Sequence, residues 1–376
     1  MRLSLLMTLF AVSAAAQTAS APKSALPADD VRRARELIEC GTKFLLSAQE
    51  SDGGWASQTG PGVSALVLRA LAHNPDIGPQ HAAVRRGVEF ILRFQRPDGG
   101  IYGAEGLLKN YESSVAVSLL AVIPGDTARA ARTRAVEFLK SAQWDESEDR
   151  TPADPWYGGA GYGRSERPDL SNLNLMLDAL HDHGTPPSDP AFQKALVFLS
   201  RSQMLAETND QNFARGSTQG GFIYSPNGKG ESKAGEITID GRRELRAYGS
   251  MTYAGVKSMI YAGLTRDDPR VRAALDWIRS HWTLDHNPNM PEAQSAEGLF
   301  YFYHTFARAL AAYGEPIIVD KLGRDHDWRR ELLQKLHSLQ LADGSWINEK
   351  DRWMEGLPAL TTAYSLLALQ AAYPPQ

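Results

Sequence analysis

The sequence predicts an all-α domain of about twelve helices that close into a double ring, an (α/α)6 toroid. Three observations support this prediction: a short phrase that returns along the chain, a glycine-rich turn after most copies, and the alternation of charged with almost wholly apolar segments. Helical hairpins that bury their apolar faces against neighbouring hairpins produce such periodic sequences.

The repeated phrase is an aromatic residue followed by an aliphatic one, with a glutamine five residues after the aromatic. Clear copies start at Phe44, Phe90, Phe138 and Phe198 and end at Gln49, Gln95, Gln143 and Gln203. Weaker copies occur at Trp277, where Trp282 replaces the glutamine, and at Leu336 with Gln340. The first copies return at intervals of about 47 residues, which is typical of a helical repeat.

Glycine-rich turns separate two kinds of helix within each repeat. The turns lie at residues 52–55, 98–101, 158–159, 220–222 and 343–346. Glycine ends a helix because it adopts positive φ without steric cost. The segment before a turn carries charge on one side, as at 328–331, whereas the segment after it is apolar nearly all round. This alternation predicts an outer amphipathic ring around a buried inner ring.

The last repeat is as apolar as the middle ones, as residues 366–369 show. An open solenoid requires polar capping repeats at its ends, so the pattern favours closure. We therefore predict one toroid domain over residues 22–376, with a loop insertion at about 207–246 that is long enough to cover the cavity mouth as a lid.

The first residues predict a secretory signal peptide at 1–21. Arg2 is followed by an apolar run at 3–12 and by small-residue sites that place cleavage after Ala16 or Ala21. We expect export to the periplasm or the medium. No later segment is apolar and long enough for a transmembrane anchor. Cys40 is the only cysteine, so no intramolecular disulfide can form.

Composition and motifs narrow the possible partners. The chain has 43% hydrophobic and 22% charged residues, and its net charge of -4 comes from interspersed signs. This pattern argues against a nucleic-acid partner, which would require a basic surface. Phosphate-binding, Gly-x-Ser-x-Gly and His-Glu-x-x-His motifs are absent from the sequence, so we predict no cofactor and no metal. The sequence leaves the oligomeric state open.

Residues 49–55 resemble the glutamine-tryptophan motif of squalene and oxidosqualene cyclases, and residues 340–346 form a second copy. The repeat as a whole is similar to squalene cyclases and protein prenyltransferase β-subunits, in particular to exported bacterial proteins with a single toroid. The resemblance implies an α/α toroid with a central ligand cavity, in which the glutamines and tryptophans are structural. The Asp-x-Asp-Asp acid of the cyclases is missing, as are the magnesium and zinc motifs of related enzymes.

Polar residues recur at one depth of the apolar helices. Aligning three of these helices on Leu180, Met259 and Leu310 places Asn174, Tyr253 and His304 at one equivalent position. We predict His304, Tyr253 and Asp169 as candidate catalytic residues. The predicted ligand-binding residues are Tyr111, Glu112, Asn172, Asn174, Tyr248, Tyr301, Arg352, Trp353 and Glu355. Helix capping by Asp169 and ordinary core packing of the tyrosines and of His304 stay open as alternatives.

Three functions are compatible with these residues. The first is a terpenoid-cyclase-like enzyme that binds an isoprenoid or other lipid and stabilises a cation by aromatic walls. The second is a polysaccharide-active, lyase-like toroid in which Asn174, Tyr253 and His304 neutralise a uronate and abstract its α-proton. The third is a non-catalytic module that holds a lipid, peptide or glycan.

Overall fold

The computed structural model describes residues 26–163 and 167–374, and the predicted signal peptide lies outside them. The described residues form six helical hairpins. The pairs, each given as outer then inner helix, are α1 (Ala28–Ser47) with α2 (Pro61–His73), α3 (Ala82–Leu92) with α4 (Lys109–Leu120), α5 (Asp126–Ser141) with α6 (Leu170–His183), α7 (Pro190–Ser202) with α8 (Gly249–Tyr261), α9 (Pro269–Ser280) with α10 (Leu299–Tyr313), and α11 (Trp328–Leu339) with α12 (Pro358–Ala372).

Two small antiparallel hairpins interrupt the helices. The first, β1 (Glu236–Ile239) and β2 (Arg242–Leu245), lies within the predicted insertion between α7 and α8. The second, β3 (Ile317–Val319) and β4 (Asp325–Asp327), connects α10 to α11. The prediction of an all-α toroid is thus confirmed.

The inner helices form a closed ring. Each even-numbered helix contacts the next, and α12 contacts α2. α2 is buried at every position from Pro61 to Leu68, as expected for a helix that is apolar all round. The outer helix α1, by contrast, buries Ala34, Leu37, Gly41, Thr42 and Leu45, which share one face at helical spacing.

Glutamine side chains connect neighbouring repeats in the outer ring. The Nε2 group of Gln95 donates to the carbonyl oxygen of Gly99 in its own turn at 2.8 Å and to that of Ala131 in α5 at 3.2 Å. Gln340 makes the same pair of bonds and reaches Leu37 in α1 at 3.1 Å, which joins the last repeat to the first. Where the glutamine is replaced, Trp282 Nε1 donates to Glu331 of α11 at 2.8 Å.

The glycine turns pack directly on the next outer helix. Gly344 has φ +88°, and a Cβ atom there would collide with the carbonyl oxygen of Cys40. The turn therefore requires glycine for its backbone conformation and for its close approach to α1.

Hydroxyl groups at the start of the inner helices accept hydrogen bonds from backbone N–H groups of the glycine turns. The buried backbone N–H of Trp346 donates to the Thr362 hydroxyl at 3.1 Å, and that of Trp55 donates to Ser64 at 2.8 Å. The two indoles lie fully buried beneath these turns. These contacts support the structural role that the resemblance implies for Trp55 and Trp346.

We predict that Thr362→Val lowers the free energy of unfolding by about 1–3 kcal/mol, because valine has the same shape but leaves the buried Trp346 N–H without a partner. Urea denaturation measures the change. Thr133→Val on the exposed side of α5 is the matched control and should change stability by less than about 0.5 kcal/mol. Equal unfolding of both variants would show that the hydroxyl is dispensable.

None of the helices in the described part of the chain is long and apolar enough to cross a membrane.

Candidate functional site

A cavity of about 380 Å³ lies at the N-terminal ends of the inner helices. Its walls come from the first turns of all six helices and from the loops that precede them. Six tyrosines line it: Tyr111, Tyr162, Tyr224, Tyr248, Tyr301 and Tyr364. Apolar side chains complete much of the wall, among them Val63, Leu108, Met251, Met290 and Leu360. The site is thus an aromatic and apolar chamber with a few polar groups, which is the usual character of a small-molecule site.

Glu112 is a carboxyl group of the wall that, among the described residues, forms neither an ion pair, as Glu297 does, nor several hydrogen bonds, as Glu355 does. It lies in the first turn of α4 and is 4% exposed. Its Oε2 atom accepts the Gly103 N–H at 2.9 Å, and its Oε1 atom accepts no hydrogen bond from any described residue. Burial raises the pKa of Glu112 to about 7, although the Gly103 N–H and Arg96 oppose the shift. Glu112 can therefore both donate and accept a proton near neutral pH.

Gly60 makes room for this carboxyl group. It has φ +93°, and a Cβ atom there would collide with Oε1 of Glu112. The turn before α2 therefore needs glycine where it approaches α4.

Glu355 also lines the cavity, but its oxygens are fully used. They accept the N–H groups of Phe300 at 3.2 Å and Tyr301 at 2.7 Å, together with Nδ2 of Asn348 at 2.6 Å. The residue thus caps the N-terminus of α10 from the following repeat, a favourable place for a carboxylate. Burial raises its pKa to about 7. Its contacts make Glu355 a positioning residue for Tyr301.

Asp169 lies behind the wall. It caps α6, accepting the Asn172 N–H at 2.9 Å and Asn172 Nδ2 at 2.8 Å. The Tyr224 hydroxyl is a further partner, and burial raises the pKa of Asp169 to about 6. Asn172 and Tyr224 line the cavity, whereas Asp169 does not. The capping alternative therefore accounts for its position.

Tyr253 and His304 are not part of the cavity wall either. The Tyr253 ring packs against Phe302 and Phe306, at centroid distances of 5.6 and 5.0 Å, and Phe306 contacts Trp328 of the outer helix α11. Tyr253 therefore belongs to the aromatic core between the two rings. Successive side chains of an α-helix differ in direction by about 100°. An alignment based on the ends of helices therefore does not determine which side chains face the axis of the ring.

His304 lies one layer below the cavity. Its ring stacks on Tyr364 with centroids 5.5 Å apart, and its Nδ1 atom has no hydrogen-bond partner among the described residues. Burial, together with Arg308 and Lys257, holds the pKa of His304 well below its ordinary value. The imidazole is thus neutral and supports the Tyr364 ring rather than facing the chamber.

Hydroxyl groups connect the tyrosines of the wall. The Tyr111 and Tyr364 hydroxyls lie 3.1 Å apart. The Tyr301 hydroxyl accepts Ser171 Oγ and Asn174 Nδ2, each at 3.4 Å. Asn174 is buried behind Tyr301, and Tyr248 is itself a wall residue. Of the residues predicted for the site, the structure brings eight to the wall: Tyr111, Glu112, Asn172, Tyr248, Tyr301, Arg352, Trp353 and Glu355.

The cavity mouth has an unusual loop. Trp353 is 48% exposed and has φ +64°, and Met354 has φ +66°. Two consecutive non-glycine residues in the left-handed region store strain, which is typical of functional loops. Arg352 pairs with Glu297 at 3.3 Å and lies 4.9 Å from the centre of the Trp353 ring.

Several wall residues were not predicted from the sequence, among them Tyr162, Tyr224, Lys233, Glu297 and Tyr364. Tyr224 and Lys233 belong to the insertion, where no helical register could point to the cavity. Tyr364 lies on α12 and could have been found by extending the alignment of inner helices to the last repeat.

A chain of ion pairs connects four of the inner helices below His304. Lys257 Nζ lies 2.7 Å from Asp178, Arg308 connects Asp178 to Asp182 at 3.4 and 3.0 Å, and Arg69 reaches Asp182 at 2.8 Å. These residues join α2, α6, α8 and α10 across the axis of the ring. No cluster of His, Cys, Asp or Glu within residues 26–163 and 167–374 could hold a metal ion.

Comparisons with known proteins agree with this architecture. The family model of the squalene-hopene cyclase C-terminal domain matches residues 59–161. No curated protein matches the sequence. A crystal structure of a protein from Actinoplanes is 18% identical, with a TM-score of 0.54 and coverage of 90% of this chain and 99% of that chain.

Two solved enzymes are similar at comparable levels. A variant of the type II terpene cyclase MstE from Scytonema, in an apo form, is 16% identical with a TM-score of 0.51, and a variant of a glycosidase in complex with glucose is 15% identical with a TM-score of 0.51. Each match covers 93% of this chain and 99% of the other. Together with the family model, these matches confirm the predicted resemblance, and the two enzymes show that this fold carries more than one chemistry.

Proposed function

We propose that this chain, an α/α toroid of the squalene cyclase and prenyltransferase β-subunit type, is an enzyme that encloses one small, largely apolar molecule and exchanges a proton with it through Glu112. The observation that carries the proposal is the state of Glu112: it is buried at the cavity wall, has one oxygen without a partner among the described residues, and has a pKa of about 7. Proton transfer is most efficient when the pKa of the group lies near the working pH.

Apolar and aromatic walls favour an isoprenoid or another lipid with a hydrophobic body. Met251, Met290 and Leu360 offer apolar surface, and the tyrosine rings can stabilise positive charge that develops during reaction. Glu112 then takes the place of the missing Asp-x-Asp-Asp acid.

A glycoside is the second candidate substrate because of the residues at the cavity mouth. The exposed Trp353 offers a platform for a sugar ring, and Glu297, kept beside Arg352, is a second carboxylate at the cavity. Glycosidases generally need two such carboxyl groups. The lyase-like alternative loses support, since Asn174, Tyr253 and His304 all lie outside the wall.

Farnesol and 4-nitrophenyl β-glucoside are the probes that distinguish the candidates. The protein is incubated with each, and products are identified by liquid chromatography with mass spectrometry. Conversion of farnesol supports the lipid enzyme, and release of nitrophenol supports the glycosidase. Binding without any product would instead favour a non-catalytic module.

We predict that Trp353→Ala weakens binding of the glucoside by about ten-fold and that of farnesol by less than about three-fold, because a sugar stacks on the exposed indole whereas a lipid is held by the chamber. Isothermal titration measures both affinities. The control Trp156→Ala removes an indole that is not part of the cavity wall. An equal loss for the two probes would assign Trp353 to a general role at the mouth.

We also propose that the protein is exported. Residues 3–12 form the apolar run of a signal peptide, followed by small-residue cleavage sites. Mass spectrometry of the mature protein from its native host should show a new N-terminus at Gln17 or Pro22. Protein that retains Met1 would overturn the proposal.

A further inference from the structure

The described cations at the cavity wall are already balanced. Among the residues that the structure describes, the wall has two basic ones, Lys233 and Arg352. Lys233 is hydrogen-bonded to Glu231, and Arg352 pairs with Glu297 at 3.3 Å. Neither residue is left unpaired for an anionic ligand such as a diphosphate or a uronate.

Helix N-termini also attract anions, and six of them surround the cavity. Carboxylates of the protein already occupy two of these ends, however. Asp169 caps α6, and Glu355 accepts the first N–H groups of α10. Within residues 26–163 and 167–374, the wall contains the acids Glu112, Glu297 and Glu355 against its two bases. The formal charge of these five groups is therefore negative when all of them are ionised.

Aromatic rings at the mouth already bind cations of the protein. Lys233 Nζ lies 4.4 Å from the centre of the Tyr224 ring, and Arg352 Cζ lies 4.9 Å from that of Trp353. Such contacts gain strength in a desolvated site. The other five wall tyrosines have no cation of the described chain over their rings: Tyr111, Tyr162, Tyr248, Tyr301 and Tyr364.

In the described part of the chain, Glu112 has no counter-ion in direct contact. Its Oε1 atom has no hydrogen bond from the described residues, and no ion pair joins the carboxyl group to a basic side chain there. Arg96 acts on it only through space. A buried charge without a partner is unfavourable, so a positive group of a ligand would stabilise the Glu112 carboxylate.

We propose that the cavity selects an organic cation, with an ammonium group enclosed by the tyrosine rings and balanced by Glu112. This inference rests on the cavity of the proposed function and names its ligand class. The positive charge is a stable part of the ligand before any reaction. It explains why the wall combines many tyrosines with a carboxyl group that is not paired within the chain.

Three probes of nearly equal shape test the inference by isothermal titration at pH 8. They are choline, the neutral 3,3-dimethylbutan-1-ol and the anionic 3,3-dimethylbutanoate. We expect choline to bind at least ten-fold more tightly than the alcohol, and the anion to bind most weakly. In Glu112→Gln the preference for choline over the alcohol should fall to less than about three-fold. Glu36→Gln, on exposed α1, is the matched control and should keep the full preference.

Several results would overturn the inference. They are equal or tighter binding of the alcohol or the anion, absence of choline binding, and a full choline preference in folded Glu112→Gln. The comparison of the three probes on the unaltered protein decides the charge class even if that variant fails to fold. This experiment measures only binding, whereas proton transfer through Glu112 is tested by turnover. Either proposal can therefore be rejected while the other is retained.

Discussion

Replacement of Glu112 by glutamine is expected to lower turnover of the converted probe by about 10²–10⁴-fold, the usual contribution of a positioned general acid or base. Glutamine keeps the size of the side chain and can still accept the Gly103 N–H, but it cannot exchange a proton. The rate of the unaltered enzyme should change with pH near 7, where Glu112 titrates. That dependence should vanish from any residual activity of the variant. Initial rates between pH 5 and 9 measure both effects.

Stability measurements separate this role from a structural one. Folding raises the pKa of Glu112 from 4.5 to about 7, so the folded protein binds the proton more tightly than the unfolded chain does. Stability from this group is therefore present below pH 4.5 and is lost as the pH rises through 7. Glu112→Gln should be more stable than the unaltered protein by about 1–3 kcal/mol at pH 8 and nearly equal to it at pH 4. A variant that is less stable at pH 8 but still active would assign Glu112 to the scaffold.

Replacement of Lys257 by methionine is expected to lower the free energy of unfolding by about 3–5 kcal/mol, because it leaves a buried carboxylate without its nearest counter-ion. The side chain of Asp178 is 4% exposed, and Lys257 Nζ lies 2.7 Å from it. Without Lys257, the remaining basic partner of Asp178 among the described residues is Arg308, at 3.4 Å. Burial lowers the pKa of Lys257 to about 8, as expected where an isolated charge is unfavourable. Urea denaturation at pH 7 measures the loss.

A double variant tests the cause. In Lys257→Met with Asp178→Leu, both charges are gone, and we expect at least half of the lost stability to return. Lys43→Met is the matched control, since Lys43 makes an exposed pair with Glu39 and should change stability by less than about 1 kcal/mol. If Lys257→Met unfolds at the same urea concentration as the unaltered protein, the ion-pair chain does not hold the inner ring together.

The fold could be predicted because its signals are local. Gln95 and Gln340 each lie a few residues before their own turn, and Gly344 marks a backbone conformation that few other residues adopt. The phrase recurs because every helical hairpin packs against its neighbours in the same way. Trp282, the exception, also links its repeat to the next outer helix, because its indole replaces the glutamine there.

The site could be predicted only in part. Tyr111, Glu112 and Tyr301 reach the wall because they lie in the first turns of inner helices. The alignment of three inner helices gave no warning that Tyr253 packs against Phe302 and Phe306 instead of lining the cavity, because a helix that is buried on all sides has no polar face to reveal its orientation. The wall residue Tyr224 comes from an irregular insertion, which has no period to extrapolate.

The number of hairpins and the order of outer and inner helices follow from the sequence alone, since helical period and glycine turns act over a few residues. The side of each inner helix that meets the axis, and the carboxyl group that keeps an oxygen without a partner among the described residues, depend on the assembled ring. Glu355 is occupied because the closed ring brings α10 against the loop before α12. Oε1 of Glu112 instead lies close to Gly60, which has no side chain, and it accepts no hydrogen bond from the described residues. Contacts between residues so far apart in the chain depend on the packing of the whole ring.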